Sequence, residues 1–300
     1  MIVITGHAGR LGNRLRTFAH VVAIARETSH DVMNPGFAQY GRYFPAFEDD
    51  PWCRHPRRIR SRRWRSRLKE RADDHFKLGA VEGLAVFDLP RGTRFELDNR
   101  RVRKILRKND LVILNGFNFR HMELTKHRDE IIELFTPHRR HHDAVMGVVD
   151  PLREKAGVVV GIHIRRGDFA RYLQGAFFFE VAQYLPAMRH MQTLFDEPVA
   201  YVVCSDEPLD ETIFAEFSVR FGTGNEVEDL YALARCDYLI GPPSTYTEWA
   251  SYYGLVRKYS LKDPDATFSL DDFVLYDDLI FKPRGFTPAR QVGTRSESAG

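Results

Sequence analysis

Long hydrophobic runs are missing from this 300-residue chain. No stretch approaches the ~20 apolar residues that a helix needs to cross a bilayer. The opening MIVITGHAGRLGNR is too briefly apolar, and too soon rich in glycine, for a secretory leader. The expectation is a cytoplasmic protein. Cysteine is scarce as well: Cys53, Cys204 and Cys236 form an odd, scattered set without a CxxC pair. That excludes a disulfide framework and gives no zinc site. Cys204 closes a predicted strand and reads as a plain buried thiol rather than a nucleophile. Internal repeats and low-complexity tracts are absent, and only residues 291–300, ending GTRSESAG, read as disordered.

What is present is an ordinary globular composition, 43% hydrophobic and 28% charged, enough for one large or two medium domains. The net charge of +3 conceals a sharp asymmetry. Between Cys53 and Arg71, nine Arg and one Lys stand against one Glu, a net +9, so the remainder of the chain carries −6. Ile59, Trp64 and Leu68 are too sparse there to make the apolar face of a membrane-bound helix. Two readings stand: a solvated insertion over 52–71, or an electrostatic patch for an anionic acceptor, lipid headgroups at a membrane surface, or nucleic acid.

Short apolar runs alternate with helical stretches along the chain. IVIT (Ile2–Thr5) precedes a glycine-rich turn and a segment in which Leu15, Phe18, Ala19, Val22 and Ala25 recur at helical spacing. DLVILNGF (Asp110–Phe117) reads as another strand after an Arg/Lys-rich helical stretch. From Val158 the order VVVGIHI, YLPAMRHMQTLF, VAYVVCS, LDETIFAEF, NEVEDLYALARC, DYLIG, TEWASYYG alternates strand and helix. This pattern predicts βα units on a parallel sheet, and two α/β domains, 1–155 and 156–290.

The run GIHIRRGDF (Gly161–Phe169) ends a predicted buried strand on two guanidiniums, Arg165 and Arg166, followed by Asp168. Ligands of open parallel sheets bind beyond the carboxyl ends of the strands. A planar, permanently charged fork there suits a phosphate or carboxylate. The alternative is a structural network in which the arginines pair with Asp168 and a neighbouring acid. Ser205, Asp206 and Glu207 lie beyond the next strand, and Gly241, Ser244 and Thr245 beyond a later one, where Ser244 or Thr245 can cap a helix and leave N–H groups for an anion. Glycines at 6, 9 and 12 do not fit the dinucleotide pattern GxGxxG.

The blocks HIRRGD, CSDEP and EDLYALARCDYLIGPPSTYTEWASYYG, in that order, resemble the conserved blocks of the α-1,2- and α-1,6-fucosyltransferase superfamily (glycosyltransferase family 11-like). GRLGNRLRTFAHVVAIA resembles its opening block, with Arg14 where that family usually carries Gln. The resemblance implies two Rossmann-like domains of the GT-B type and inverting, metal-independent transfer of fucose from GDP-fucose to a hydroxyl of a glycan acceptor. It implies an acceptor-side domain over 1–155 and a nucleotide-sugar-binding domain over 156–290. It gives Arg165 the diphosphate, His163 a place against the nucleotide, and Asp229 the guanine or ribose. Ser244 and Thr245 bond the phosphates, Gly12 and Asn13 close from the other domain, and Arg166 and Asp206 belong to the donor blocks. Asp168 matches an acid important to the family. Leu173 stands where the α-1,6 branch keeps a putative base, which leaves Asp168 and Glu248 as candidates for that role. The one D-x-D triplet, Asp263–Asp265, is stiffened by Pro264 and follows a predicted strand, so no metal or cofactor is expected and Arg165 carries the charge instead. Two other readings remain: a transferase of a different GDP-sugar, and a non-enzymatic protein binding nucleic acid or an anionic surface through Arg54–Arg71.

Overall fold

Parallel pairing organises both halves of the chain. The computed structural model describes residues 1–6, 9–57, 83–90 and 93–276; residues 58–71 of the basic run and the tail 291–300 lie outside them. In the first half, β1 (Ile2–Ile4), β2 (Val32–Met33), β3 (Arg54–His55), β4 (Leu84–Asp88) and β6 (Leu111–Asn115) form a sheet in the order β3-β2-β1-β6-β4. All its pairs are parallel except β2 with β3. The short strands β5 (Phe95–Glu96) and β7 (Phe119–Arg120) pair with each other beyond it.

The second half holds β8 (Val158–Ile164), β9 (Val199–Ser205), β10 (Ser218–Phe221), β11 (Tyr238–Gly241) and β12 (Arg257–Ser260) in the order β10-β9-β8-β11-β12, parallel throughout. Every residue of β8 is buried, which is why VVVGIHI is continuously apolar up to its histidine: both faces of a parallel sheet are covered.

Helices supply that cover. α1 (Leu11–Thr28) is buried almost all round, because it packs on the first sheet and also crosses a helix of the second half. It stops where Ser29 takes a left-handed conformation (φ 56°) and returns its N–H to the Ala25 carbonyl oxygen. After α2 (Ala38–Gly41), α3 (Arg100–Lys108) and α4 (Arg128–Leu134) comes α5 (Arg139–Arg153), which precedes residue 155 in sequence yet packs on the second sheet and its helices. α6 (Leu185–Thr193), α7 (Glu226–Leu233) and α8 (Thr245–Gly254) complete the crossovers. The expected helix in LDETIFAEF is a single 3-10 turn, Glu211–Phe214, and β10 follows it. Asp210 caps that turn through the Thr212 N–H at 3.0 Å, and the chain must reach the sheet edge by Ser218, which leaves no room for a longer helix.

One apolar core runs from the first sheet through α1 to α7 and α8, and a second fills the opposite face of the second sheet. Phe18, Phe37, Phe44, Phe47 and Phe135 interlock at centroid distances of 5.3–5.9 Å, and Phe135 meets Trp249 of α8 edge-on at 5.3 Å. Arg128 closes the far end of α8 by donating to the Tyr252 and Tyr253 carbonyl oxygens. Cys53, Cys204 and Cys236 are all buried and free. Burial pushes the Cys53 thiol up to about 12 and also raises the Cys204 thiol well above its ordinary value, the opposite of what a thiolate nucleophile needs.

Candidate active site

Both sheets reverse their winding at their centre. In the first, the chain leaves β1 toward β2 and β3 and returns on the far side at β4 and then β6; in the second it leaves β8 toward β9 and returns at β11. Crevices open at such switch points beyond the strand ends. The backbones approach closely there: a Cβ on Gly6 would lie 2.4 Å from the Gly116 carbonyl oxygen, and one on Gly241 would lie 2.9 Å from that of His163. The two carboxyl edges face each other where α1 begins. A Cβ on Gly12 would sit 2.7 Å from the backbone of Thr245 and Tyr246, so only glycine lets the amino-terminal turns of α1 and α8 touch.

Between these edges lies a cavity of about 240 Å³ whose lining includes Arg10, His163, Arg165, Asp206, Asp229 and Tyr246. Larger cavities of about 420 Å³, at the start of β1 beside Asp31 and Asp110, and 560 Å³, between β3 and α4 with Arg26, Arg54, Arg57, Glu130 and Glu133, are also charged but lie away from the switch points.

Two carboxylates stand between two guanidiniums at the mouth. Arg165 donates to Asp168 Oδ1 at 2.6 Å and lies 3.1 Å from Asp206 Oδ2. Arg10, reaching across from the first half, lies 3.3 Å from the same Asp206 oxygen and 3.8 Å from Asp168. Gly167 makes this possible at φ 21°, since a Cβ there would be 2.7 Å from Asp206 Oδ2. The Arg165 side chain is 13% exposed and Asp168 is 56% exposed, so the cation is held inside and the acid lies at the rim. Arg166 turns away: its backbone N–H reaches Asp206 Oδ1 at 2.8 Å, but its guanidinium pairs with Glu180 at 2.8 Å and Glu207 at 3.2 Å over the Phe178 ring. It does not line the cavity.

Deeper in, His163 stacks on Tyr246 at 4.8 Å and 23°. Burial, followed by the neighbouring Arg165 and Lys258, lowers its pKa to about 3, so the ring is neutral. Its Nδ1 is buried without a partner among the described residues. Asp229, 5% exposed in the first turns of α7, accepts the Thr223 N–H at 2.7 Å. Burial drives its pKa up to about 6, against the pull of the Thr223 and Gly224 N–H groups. Ser244 caps α8 by accepting the Tyr246 N–H at 3.2 Å, and Thr245 holds the backbone that Gly12 touches. Asn13 faces Arg16 at 3.3 Å. Glu248 is 2.5 Å from Arg16 and is engaged there rather than at the cavity. Asp263 accepts the N–H of Asp265 at 3.0 Å on the exposed chain beyond β12.

Of the residues singled out from sequence, His163, Arg165, Asp206 and Asp229 line one cavity, Asp168 sits at its mouth, and Gly12, Ser244 and Thr245 build the helix contact beside it. Arg10 and Tyr246 were not singled out. The signal for Arg10 was available, because it follows β1 as Arg165 follows β8.

No family model matches this chain, and no curated protein matches it by sequence. Solved structures do. A mutant of Arabidopsis thaliana FUT1 in complex with GDP matches with a TM-score of 0.52 at 15% identity, over 87% of this chain and 70% of that one. The fold is that of the fucosyltransferases. NodZ α-1,6-fucosyltransferase soaked with GDP-fucose gives 0.51 at 17% identity over 91% and 96% of the two chains, and POFUT1 in complex with GDP-fucose gives 0.51 at 11% over 84% and 93%. This two-sheet α/β arrangement of the GT-B type is the architecture that the sequence blocks imply.

Proposed function

We propose that the protein is a glycosyltransferase that moves fucose from GDP-fucose to a hydroxyl of a glycan acceptor. The observation that carries this reading is the paired guanidiniums of Arg10 and Arg165, held by Asp168 and Asp206 at the meeting point of the two switch-point edges. In the reaction the bond from the sugar's anomeric carbon to the diphosphate oxygen breaks and leaves negative charge on GDP. The acceptor oxygen bonds the same carbon from the opposite face, with inversion, and its proton passes to a base. Fixed positive charge aimed at the departing diphosphate lowers that barrier. Arg165 and Arg10 supply it, so the transfer needs no metal ion. Before the donor binds, Asp168 and Asp206 hold the two guanidiniums in line; on donor binding N–H groups turn from these carboxylates to phosphate oxygens.

The remaining roles follow from position. His163, neutral and stacked on Tyr246, presents a flat face and an unpartnered ring nitrogen to the nucleotide. Asp229 accepts the two adjacent donors of guanine, and Gly12 with the capped start of α8 brings backbone N–H groups to the phosphates. Asp168, at the rim, is the carboxylate placed to meet an acceptor proton. The basic stretch Arg54–Arg71 lies mostly outside the described residues. Its described part is engaged locally, with Arg54 2.8 Å from Asp50 and Arg57 4.0 Å from Asp49, so no observation favours the nucleic-acid reading.

Calorimetry with GDP, UDP and ADP, followed by a screen of GDP-sugars, tests the proposal. Preference for GDP of tenfold or more and turnover of GDP-fucose are the expected results. Equal affinity for all three nucleotides would remove the guanine site, and turnover of a different GDP-sugar alone would change the donor.

A further inference from the structure

Beneath the seam between the two halves lies a second group of buried cations that the donor cavity does not use. One helical turn beyond the Gly12–Thr245 contact, Arg16 of α1 meets Glu248 of α8. The Arg16 Nε is buried without a partner among the described residues. Arg120, the last residue of β7, is 9% exposed and donates one bond, from Nη1 to the Phe119 carbonyl oxygen at 3.0 Å. His20 and His121, both fully buried, sit beside them. The His121 N–H donates to His20 Nδ1 at 3.0 Å, which fixes the His20 proton on Nε2. That Nε2 and the His121 Nε2 also lack partners among the described residues, while His121 Nδ1 lies 2.7 Å from Asp98.

The charges do not balance locally. Burial and then Arg16 pull the Arg120 guanidinium down to about 10, and Arg94 pulls the same way, while Tyr276 and Glu248 oppose them. Arg120 is therefore still charged at neutral pH. Arg94 is occupied by Glu96 at 2.5 Å, which leaves Glu248 as the carboxylate facing both Arg16 and Arg120. Buried cations are ordinarily paired and their N–H groups satisfied. Here a guanidinium fork and a bare Nε–H come together between α1, β7 and α8 on a single carboxylate, Glu248, while Asp98 takes His121 Nδ1 at 2.7 Å.

We propose that Arg120 and Arg16 form an oxyanion site, separate from the donor cavity, that takes a carboxylate or sulfate group. The planar fork of Arg120 fits two oxygens at once. β7 follows β6 closely, so Arg120 lies beyond the carboxyl end of β6. The oxyanion has two sources: the acidic group of an acceptor sugar, or a free anion resident as a counter-ion.

The test uses the full chain in chloride-free, non-binding buffer, with sodium sulfate as the probe and melting temperature and calorimetry as readouts. Sulfate is expected to raise the melting temperature by roughly 2–4 °C per tenfold increase above its Kd, in the parent and in Arg165→Ala but not in Arg120→Met. Without sulfate, Arg120→Met is expected to melt no lower than the parent, because it removes a buried charge that Arg16 repels. Arg120→Lys, which keeps the charge and loses the fork, guards against a misfolded methionine variant and is expected to weaken sulfate tenfold or more. A sulfate effect lost in Arg165→Ala and kept in Arg120→Met assigns the anion to the donor cavity and overturns the proposal, as does a parent indifferent to sulfate. Competition by glucuronate but not glucose identifies an acidic acceptor; competition by neither identifies a resident ion. Asp277 and Asp278 follow Tyr276 in the sequence. A tenfold gain in sulfate affinity on changing both to Asn would show that the chain's own carboxylates fill the site, and would overturn the proposal as well.

Discussion

Asp229→Asn separates a base-reading carboxylate from one that merely sits in the first turns of its helix. Raising a carboxyl from 3.8 to about 6 corresponds to about 3 kcal/mol of preference for the protonated form. Because the folded pKa lies above the unfolded one, this group contributes stability below about pH 4 that is lost as the pH rises through about 6. At pH 8 the parent carries that cost in full. Asparagine does not ionise, and its carbonyl oxygen still accepts the Thr223 N–H. Weaker bonding to Thr223 and Gly224 costs about 1 kcal/mol, so the variant is expected to be about 1–2 kcal/mol more stable than the parent at pH 8 and to lose that advantage by pH 4.5.

Binding is expected to move the other way. Guanine offers two parallel donors, N1–H and the exocyclic amine, and only the ionised carboxylate accepts both. Parental affinity for GDP is therefore expected to fall up to tenfold per pH unit below about 6. Asp229→Asn is expected to bind GDP at least ~10-fold more weakly at pH 8 and to show no such slope, with weak ADP binding unchanged. Denaturant titration at two pH values and calorimetry across pH 5–8 measure both sides. A variant that is more stable yet binds GDP as the parent does would refute the assignment, and would leave His163 or Asp206 to read the base. A variant less stable by a few tenths of a kcal/mol, with unaltered nucleotide preference, would mean that Asp229 serves only the helix dipole.

Arg165→Ala is expected to fold normally and lose at least ~10²-fold in turnover, and Arg165→Lys to recover little because a point charge does not copy the fork; near-parental turnover in the alanine variant removes the diphosphate role. Activity is expected to survive excess EDTA, since arginines supply the charge at the leaving group; loss that magnesium or manganese restores would return attention to Asp263–Asp265. Gly12→Ala places a methyl 2.7 Å from the Thr245 and Tyr246 backbone and is expected to cost about 1–3 kcal/mol, visible as a lowered melting temperature with weakened GDP binding; an unchanged melting temperature would show that the α1–α8 contact is not tight.

The parts legible in the sequence are those whose destination a parallel sheet fixes. VVVGIHI and VAYVVCS became β8 and β9 in register, Ile164 opposite Ser205, so the residues just past them had to meet at one edge, and Asp206 does meet Arg165. Residues that act across the molecule carry no such constraint. Arg10 and Asp206 are 196 positions apart, and Arg16 and Glu248 are 232 apart; neither pairing follows from local pattern, because the docking of two sheets decides it. α5 shows the same limit, since its sequence adjoins the first half while its apolar face covers the second sheet. LDETIFAEF failed for a nearer reason: helix-compatible residues were overruled by the short reach to β10.

Arg165 and Arg166 show how fine the undecided part is. The two guanidiniums are neighbours of one chemical type, and sequence offered an anion site or a structural network for both together. The backbone divides them. Arg166 has φ −114° and ψ −96°, and Gly167 follows at φ 21°, a turn that keeps Arg165 over the cavity and swings Arg166 outward to Glu180 and Glu207. Both arginines are paired with carboxylates, Arg165 with Asp168 and Asp206 and Arg166 with Glu180 and Glu207, and Arg165 alone lines the cavity. The structural network around Arg166 also holds the Asp206 carboxylate through the Arg166 N–H, and Asp206 in turn aligns Arg165 and Arg10. Arg166 thus bears on the cavity through its backbone N–H, which alanine keeps, so Arg166→Ala is expected to release Glu180 and Glu207 while leaving the Asp206–Arg165 pair and the turnover that depends on it in place; a loss of turnover as large as that of Arg165→Ala would show that the side chain itself holds the site.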